Sequence, residues 1–237
     1  YEEGLKLNKN QTIFYNQIGL LLFSFQNYTE AREYYFKALK FNSNNYQALN
    51  NLGLLENELS NFSMAKEYYY KSLEKNSEYR TAYFNLGVCL LREGNYDSGW
   101  KYYEYRDDKR VNLDITRNRN EWDGVNLKNK RLLIICEQGI GDNIQFMRYI
   151  SLIKKENTKI YLLIKNDLLN FFIKIKNIDQ ILFSKDQLPS FDFYVYLLSL
   201  PHILKKTDQF PKPLNFFNFN STKIDTWENY FQKVNSK

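Results

Sequence analysis

The residues best suited to chemistry lie together in one stretch, Arg131–Tyr149, which reads RLLIICEQGIGDNIQFMRY. Glu137 and Asp142 are carboxylates, Gln138 is an amide that both donates and accepts, and Gly139 and Gly141 frame the turn that carries them. A carboxylate held at such a turn can take a proton from a hydroxyl group. The glycines let substrate atoms come close and open backbone conformations closed to other residues. Two elements must position this set. The run Leu132–Cys136 is short, continuous and apolar, as expected of a central strand in a parallel sheet. Beyond the turn, Phe146, Met147, Ile150 and Ile153 fall on one helical stripe. In open α/β sheets ligands bind beyond the carboxyl ends of the strands, near the following helix N-terminus. Glu137, Gln138 and Asp142 therefore stand where chemistry is expected.

Several other chemistries find no support. A dinucleotide fingerprint places a third glycine where Ile144 stands, and an acid at the helix start repels pyrophosphate. No Gly-Lys-Ser/Thr follows, so a phosphate-cradling Walker loop is excluded. With His202 as the one histidine and no nucleophile elbow, a hydrolase triad has no basis. Arg148 reads either as a surface ion-pair residue or as a phosphate contact. Cys89 and Cys136 sit inside apolar patterns and read as buried free thiols of a reducing, cytoplasmic compartment; neither has metal-ligand spacing. The formal charge of +6 comes from dispersed lysines, without the basic stripe of a nucleic-acid binder. No apolar run approaches the roughly 18 residues of a membrane span. No signal peptide is visible, and a start at Tyr1 without Met implies an upstream segment.

The first half is periodic. Gly19, Gly53 and Gly87 are 34 residues apart, and so are Ala31, Ala65 and Gly99, and Tyr28, Phe62 and Tyr96. Asn27, Asn61 and Asn95 keep the same step. Small residues at fixed places let two helices of a hairpin approach closely, and the aromatic after each Asn anchors the next helix. The pattern resembles tetratricopeptide repeats, whose period this is. Tyr15, Ile18, Gly19, Ala31, Tyr35 and Ala38 hold its positions in the first unit, Leu49, Leu52, Gly53, Ala65, Tyr69 and Ser72 in the second, and Tyr83, Leu86, Gly87, Gly99 and Tyr103 in the third. Ser43 and Ser77 stand where a unit commonly has proline, which predicts looser turns between units. Tyr1 and Leu5 match Tyr35 and Leu39 one period earlier, so the chain is expected to start inside a further repeat. The array spans 1–107: a partial repeat over 1–11, then 12–45, 46–79 and 80–113, the last overlapping a linker.

Stacked helix pairs form a superhelix whose concave face suits extended peptides. Gln17, Asn51 and Asn85 recur at the same step on the inner helices. Two readings stand for them: an amide ladder holding a peptide backbone, resembling that of the O-linked N-acetylglucosamine transferase repeats, or a solvated polar face.

The charged, Asn-rich stretch 108–129 reads as a linker with a turn at Asp123-Gly124, in which Trp122 packs onto one of the two domains. From 130 to 237 strands and helices alternate. Lys159–Lys165, Gln180–Phe183 and Phe191–Leu197 read as further strands; Asp167 caps a helix to Lys176, a short helix follows Pro201, and Trp227, Tyr230, Phe231 and Val234 mark a last helix after Asp225. Alternation implies a parallel sheet, so the fold class is α + α/β.

Residues Trp122–Phe217 resemble the start of the glycosyltransferase domain that follows tetratricopeptide repeats in many bacterial proteins, itself similar to the lipopolysaccharide heptosyltransferases of the two-lobed glycosyltransferase B fold. Glu137–Phe146 with Arg148-Tyr149, Phe191-Asp192 and Leu197–Pro201 carry the resemblance, and Gly99-Trp100 with Tyr103–Arg106 is similar to the last repeat before that domain. The resemblance implies an N-terminal, Rossmann-like lobe and an inverting, metal-independent transfer from a nucleotide sugar, with no cofactor besides that co-substrate. It implies Asp142 as general base on the acceptor hydroxyl; the alternative is that Asp142 only caps a helix. Glu137 and Gln138 either orient the acceptor or end the strand by bonding neighbouring loops, and Gly139 and Gly141 would let the acceptor approach. No residue after Asp142 is a glycine, so no second glycine loop is present. The donor lobe is therefore expected outside this chain, which alone is expected to be inactive. The competing function is a non-catalytic scaffold that binds a protein or peptide partner through the repeats.

Overall fold

A computed structural model describes residues 2–107, 113–153, 156–164, 177–205 and 211. The expected helices after Asp167 and after Asp225 lie outside the described residues. The chain divides into two compact units, Tyr1–Val111 with Lys205–Gln209, and Asn112–Leu204 with Phe210–Lys237.

The first unit carries three helical hairpins: α1 (Glu2–Ser24) with α2 (Tyr28–Phe41), α3 (Tyr46–Glu58) with α4 (Phe62–Lys75), and α5 (Arg80–Glu93) with α6 (Tyr96–Tyr103). Close approach explains the periodic small residues. A Cβ at Gly19 would stand 2.4 Å from the Tyr35 ring, and one at Gly53 2.6 Å from the Tyr69 ring. At Gly87 it would meet the backbone of α6, 2.7 Å from the Tyr103 nitrogen. The core follows: Ala31, Tyr35, Leu52 and Leu55 in one cluster, Ala65, Tyr69, Leu86, Cys89 and Leu90 in the next.

The turns inside hairpins reverse through a left-handed residue at the repeat step: Gln26 (φ 61), Ser60 (φ 61) and Gly94 (φ 90). Only the third unit uses glycine there. The looser turns expected between units do not occur. Asn42 and Asn76 accept hydrogen bonds from the backbone N–H groups of Asn44 (3.0 Å) and Glu78 (3.1 Å), and Asn45 accepts from Ala48 N–H (3.1 Å) to cap α3. Asparagine side chains do the work that proline does elsewhere. The break expected after residue 11 is also absent, since α1 is one helix of 23 residues. Gln11 stands where Asn45 caps α3, and glutamine is not a favoured cap.

The second unit is built on a five-stranded parallel sheet of order β1-β5-β2-β3-β4. Its strands are β1 (Asn120–Glu121), β2 (Arg131–Ile135), β3 (Lys159–Leu163), β4 (Gln180–Leu182) and β5 (Phe193–Tyr196). The register sets Leu133 beside Tyr161 and Tyr194, and Ile135 beside Leu163 and Tyr196. Within 108–129, read as a linker, lie a short helix α7 (Leu113–Thr116) and edge strand β1. Trp122 packs in this unit, its N–H donating to the Tyr194 carbonyl (2.7 Å) and its Nε1 to the Val125 carbonyl (2.8 Å). After β2 comes α8 (Ile140–Phe146), which tightens into a 3₁₀ helix over Met147–Leu152; Phe146, Met147, Ile150 and Ile153 are all buried. At the amino end of β2 the Asp192 carboxylate accepts from Arg131 N (2.7 Å), Nε (3.0 Å) and Nη2 (3.1 Å).

Candidate functional site

The chain passes from β2 to β3 and β4 on one side, then returns to β5 on the other side of β2. In such sheets the crevice at the point of reversal is the usual ligand site. Glu137, one residue past Cys136, lies there and is 4% exposed. Its Oε2 accepts from Leu197 N–H (3.1 Å) and its Oε1 from Leu198 N–H (3.3 Å). Of the two roles open to it, the geometry is that of a residue that ends the strand by bonding the neighbouring turn. Gln138, half-buried, takes the left-handed conformation (φ 64).

The glycines therefore differ from expectation. Gly139 is extended (φ −77, ψ 169), and Gly141 is not among the left-handed residues. A Cβ on Gly139 would make an ordinary 3.6 Å contact with Asp142 Oδ2, and one on Gly141 would meet nothing within 4 Å. Neither backbone strain nor a neighbour requires them. Asp142, half-buried at the third position of α8, has no hydrogen-bond partner among the described residues. The loop is held instead by Asn143, whose N–H (3.2 Å) and Nδ2 (2.9 Å) both donate to the Gly139 carbonyl. Asn143 is 1% exposed and its Oδ1 has no partner among the described residues. Sequence reasoning passed over it, although a polar residue four ahead of Met147 on an apolar stripe was a visible signal.

Burial, with the nearby Glu137 charge, pushes the Cys136 thiol well above its ordinary range, and burial raises Cys89 to about 11. Both stay protonated at neutral pH and are poor nucleophiles. Arg148 donates to the carbonyls of Gln145 (2.8 Å) and Pro211 (3.4 Å), and His202 is half-buried. Among the described residues no cluster of His, Cys, Asp and Glu could hold a metal, and no helix is long and apolar enough to cross a membrane.

On the repeats, Gln17 is exposed, Asn85 half-buried and Asn51 7% exposed. Among the described residues no hydrogen bond joins any two of the three directly. Asn85 Nδ2 donates to Asn50 Oδ1 (3.0 Å), Asn50 Nδ2 to Asn51 Oδ1 (3.2 Å), and Asn51 Nδ2 to Asn16 Oδ1 (3.0 Å). Asn16 and Asn50 form a second column one residue ahead, 34 residues apart, and join the first.

The class these hairpins define is the helical repeat array, typical of protein-interaction modules. Tetratricopeptide repeat family models match residues 13–45 and 58–105, so this part of the chain consists of tetratricopeptide repeats. No curated protein matches the chain. Among solved structures it is similar to Pseudomonas aeruginosa PilF (22% identity, 44% of this chain and 47% of that one, TM-score 0.41). It is also similar to the Arabidopsis OM64 TPR domain (18%, 41% and 81%, TM-score 0.39). A Thermobaculum terrenum O-GlcNAc transferase matches at 13% identity over 76% of this chain and 42% of that one, TM-score 0.40.

Proposed function

We propose that the chain is a portion of a tetratricopeptide-repeat glycosyltransferase. In this reading the second unit is the acceptor-side, N-terminal lobe of a glycosyltransferase B fold, similar to the heptosyltransferases, and the repeats bind the acceptor protein or a partner. The observation that carries it is the glycine loop. Gly139 and Gly141 serve no steric or conformational need of the chain itself, which leaves close approach of a ligand as their physical use. Both come just before Asp142, past the carboxyl end of β2.

The acceptor hydroxyl gives its proton to Asp142 as its oxygen attacks the anomeric carbon of the sugar. The bond from that carbon to the phosphate oxygen breaks with inversion, and the nucleotide leaves with the electron pair. Gln138, Gly139 and Gly141 contact the acceptor, while Glu137 and Asn143 hold the loop. The nucleotide sugar is the donor and binds a second lobe. On the repeats a peptide meets Gln17 and Asn85, with Asn51 behind them.

The test is sugar transfer by the polypeptide extended through its reading frame beyond Lys237. Asp142→Asn, with its circular dichroism unchanged, loses about 100-fold or more of the turnover; unchanged turnover removes the assignment. A second reading, a non-catalytic scaffold, is favoured by Glu137, whose side chain occupies the β2–β5 crevice. Under it, partner binding resides in the repeats and no nucleotide sugar is turned over.

A further inference from the structure

A cavity of about 360 Å³ is lined by the segments that lead into β2 and β3, whereas the Gly139 loop leaves β2 at its other end. Its volume is in the range of pockets that hold small organic molecules. The two segments are tied together. Asn129 N–H donates to the Glu156 carbonyl (3.3 Å), Asn157 Nδ2 to Asn129 Oδ1 (2.9 Å), and Thr158 Oγ1 to the Leu127 carbonyl (2.7 Å).

The lining has an apolar and a polar part. Trp122, Leu127 and Ile153, each 4% exposed, supply the apolar part. Asn126 and Glu156 are exposed and supply the polar part. Asn126 Oδ1 is taken by Lys128 N–H (2.8 Å), which leaves Nδ2 as the donor without a partner among the described residues. The Glu156 carboxylate also has no partner among the described residues, and it is the one charged side chain among those lining the cavity.

This set suits a flat, uncharged ring whose edge carries an acceptor beside N–H donors. An acid is repelled by Glu156, a hydrocarbon leaves both polar groups unmatched, and an alkylammonium sets donors against Asn126 Nδ2. Of the common bases, guanine alone places an acceptor, O6, beside two adjacent donors, N1–H and N2–H. Those donors meet both oxygens of one carboxylate in a charge-assisted pair. O6 then meets Asn126 Nδ2, and the ring covers the apolar part of the lining.

We propose that this cavity is a binding site for the guanine base of a nucleoside, read by Glu156 and Asn126. It is separate from the loop past the carboxyl end of β2 and stands independently of the transferase reading.

Isothermal titration calorimetry of the 237-residue chain with guanosine tests it. Nucleosides are the probe because Lys128 and Lys130 are exposed close by in the chain, and a phosphate is drawn to lysines whatever its base. The expected Kd for guanosine is on the order of 100 µM, as suits a ligand of this size. Inosine, which lacks the 2-amino group, and adenosine bind about tenfold or more weakly. Glu156→Gln and, separately, Asn126→Asp lower the affinity for guanosine about tenfold or more. Asp keeps the oxygen that accepts from Lys128 N–H, so the turn survives. Both positions are exposed, and unchanged circular dichroism checks the fold. Bound guanosine also shifts the indole N–H resonance of Trp122, identified by its loss in Trp122→Phe. Four results overturn the proposal: no binding of guanosine at about 1 mM, inosine or adenosine binding as tightly, guanosine binding indifferent to both variants, or an unmoved Trp122 resonance.

Discussion

Replacing Gly87 by alanine sets two effects of opposite sign against each other. Alanine is the better helix former by about 1 kcal/mol in a helix interior, so a glycine kept there for no reason would be improved by the change. At this position the added Cβ would lie 2.7 Å from Tyr103 N, 2.9 Å from Tyr102 C and 3.0 Å from the Gly99 carbonyl oxygen. Carbon contacts are comfortable at about 3.5–4.0 Å, so α5 and α6 must part by roughly half an ångström or more. All three atoms are backbone, and none can rotate aside. Overpacking of this kind costs about 1–3 kcal/mol, at the upper end where nothing yields. The net loss is therefore about 1–2 kcal/mol, or about 2–8 °C in Tm for a chain of this size. Thermal melting followed at the helical circular-dichroism band measures it. A Tm equal to or above that of the wild type would mean that propensity wins, and the close approach of α5 and α6 would be refuted.

Two more perturbations follow from local geometry. Ser60 holds a left-handed conformation (φ 61) that glycine fills at the equivalent Gly94 (φ 90). Ser60→Gly is expected to stabilise by about 0.5 kcal/mol and Gly94→Ser to destabilise by about 1 kcal/mol, measured by urea denaturation; equal effects of the same sign would contradict the assignment. Asp192 has its carboxyl held below the ordinary value by the Arg131 guanidinium and backbone N–H, against a weaker desolvation effect. A depressed folded-state pKa stabilises above the ordinary value near 3.8 and loses that contribution as pH falls through the lower folded value. Asp192→Asn should thus cost a little stability at neutral pH, as suits a part-exposed pair, and converge with the wild type in acid. A gap between their urea midpoints that persists or widens in acid would count against the pairing.

The repeats were legible because one period carries several position classes at once, and each class has its own steric reason: Gly53 against Tyr69, Asn61 ahead of Phe62. The central strand was legible as an unbroken apolar run, Leu132–Cys136. What escaped had weaker local signals. Strand β1 is two exposed residues whose pairing depends on Tyr194 and Phe193, far away in sequence. Positive φ fell on Gln26, Ser60 and Gln138, residues with no intrinsic preference for it, because the surrounding hairpins and loop impose it. At the candidate site the sequence left two roles open for Glu137, and its bonds to the 197–198 amides depend on the return of β5 beside β2, 60 residues on.

The asparagine side chains of the repeats have a sense of direction. Each Nδ2 faces the Oδ1 of the next, from Asn85 through Asn50 and Asn51 to Asn16. Turning one amide over would set two carbonyls or two amino groups face to face, so the four turn together or not at all. The row is vectorial, with an acceptor oxygen at its Asn85 end and a donor at its Asn16 end. Three successive hairpins thereby share one polarity of their amide row.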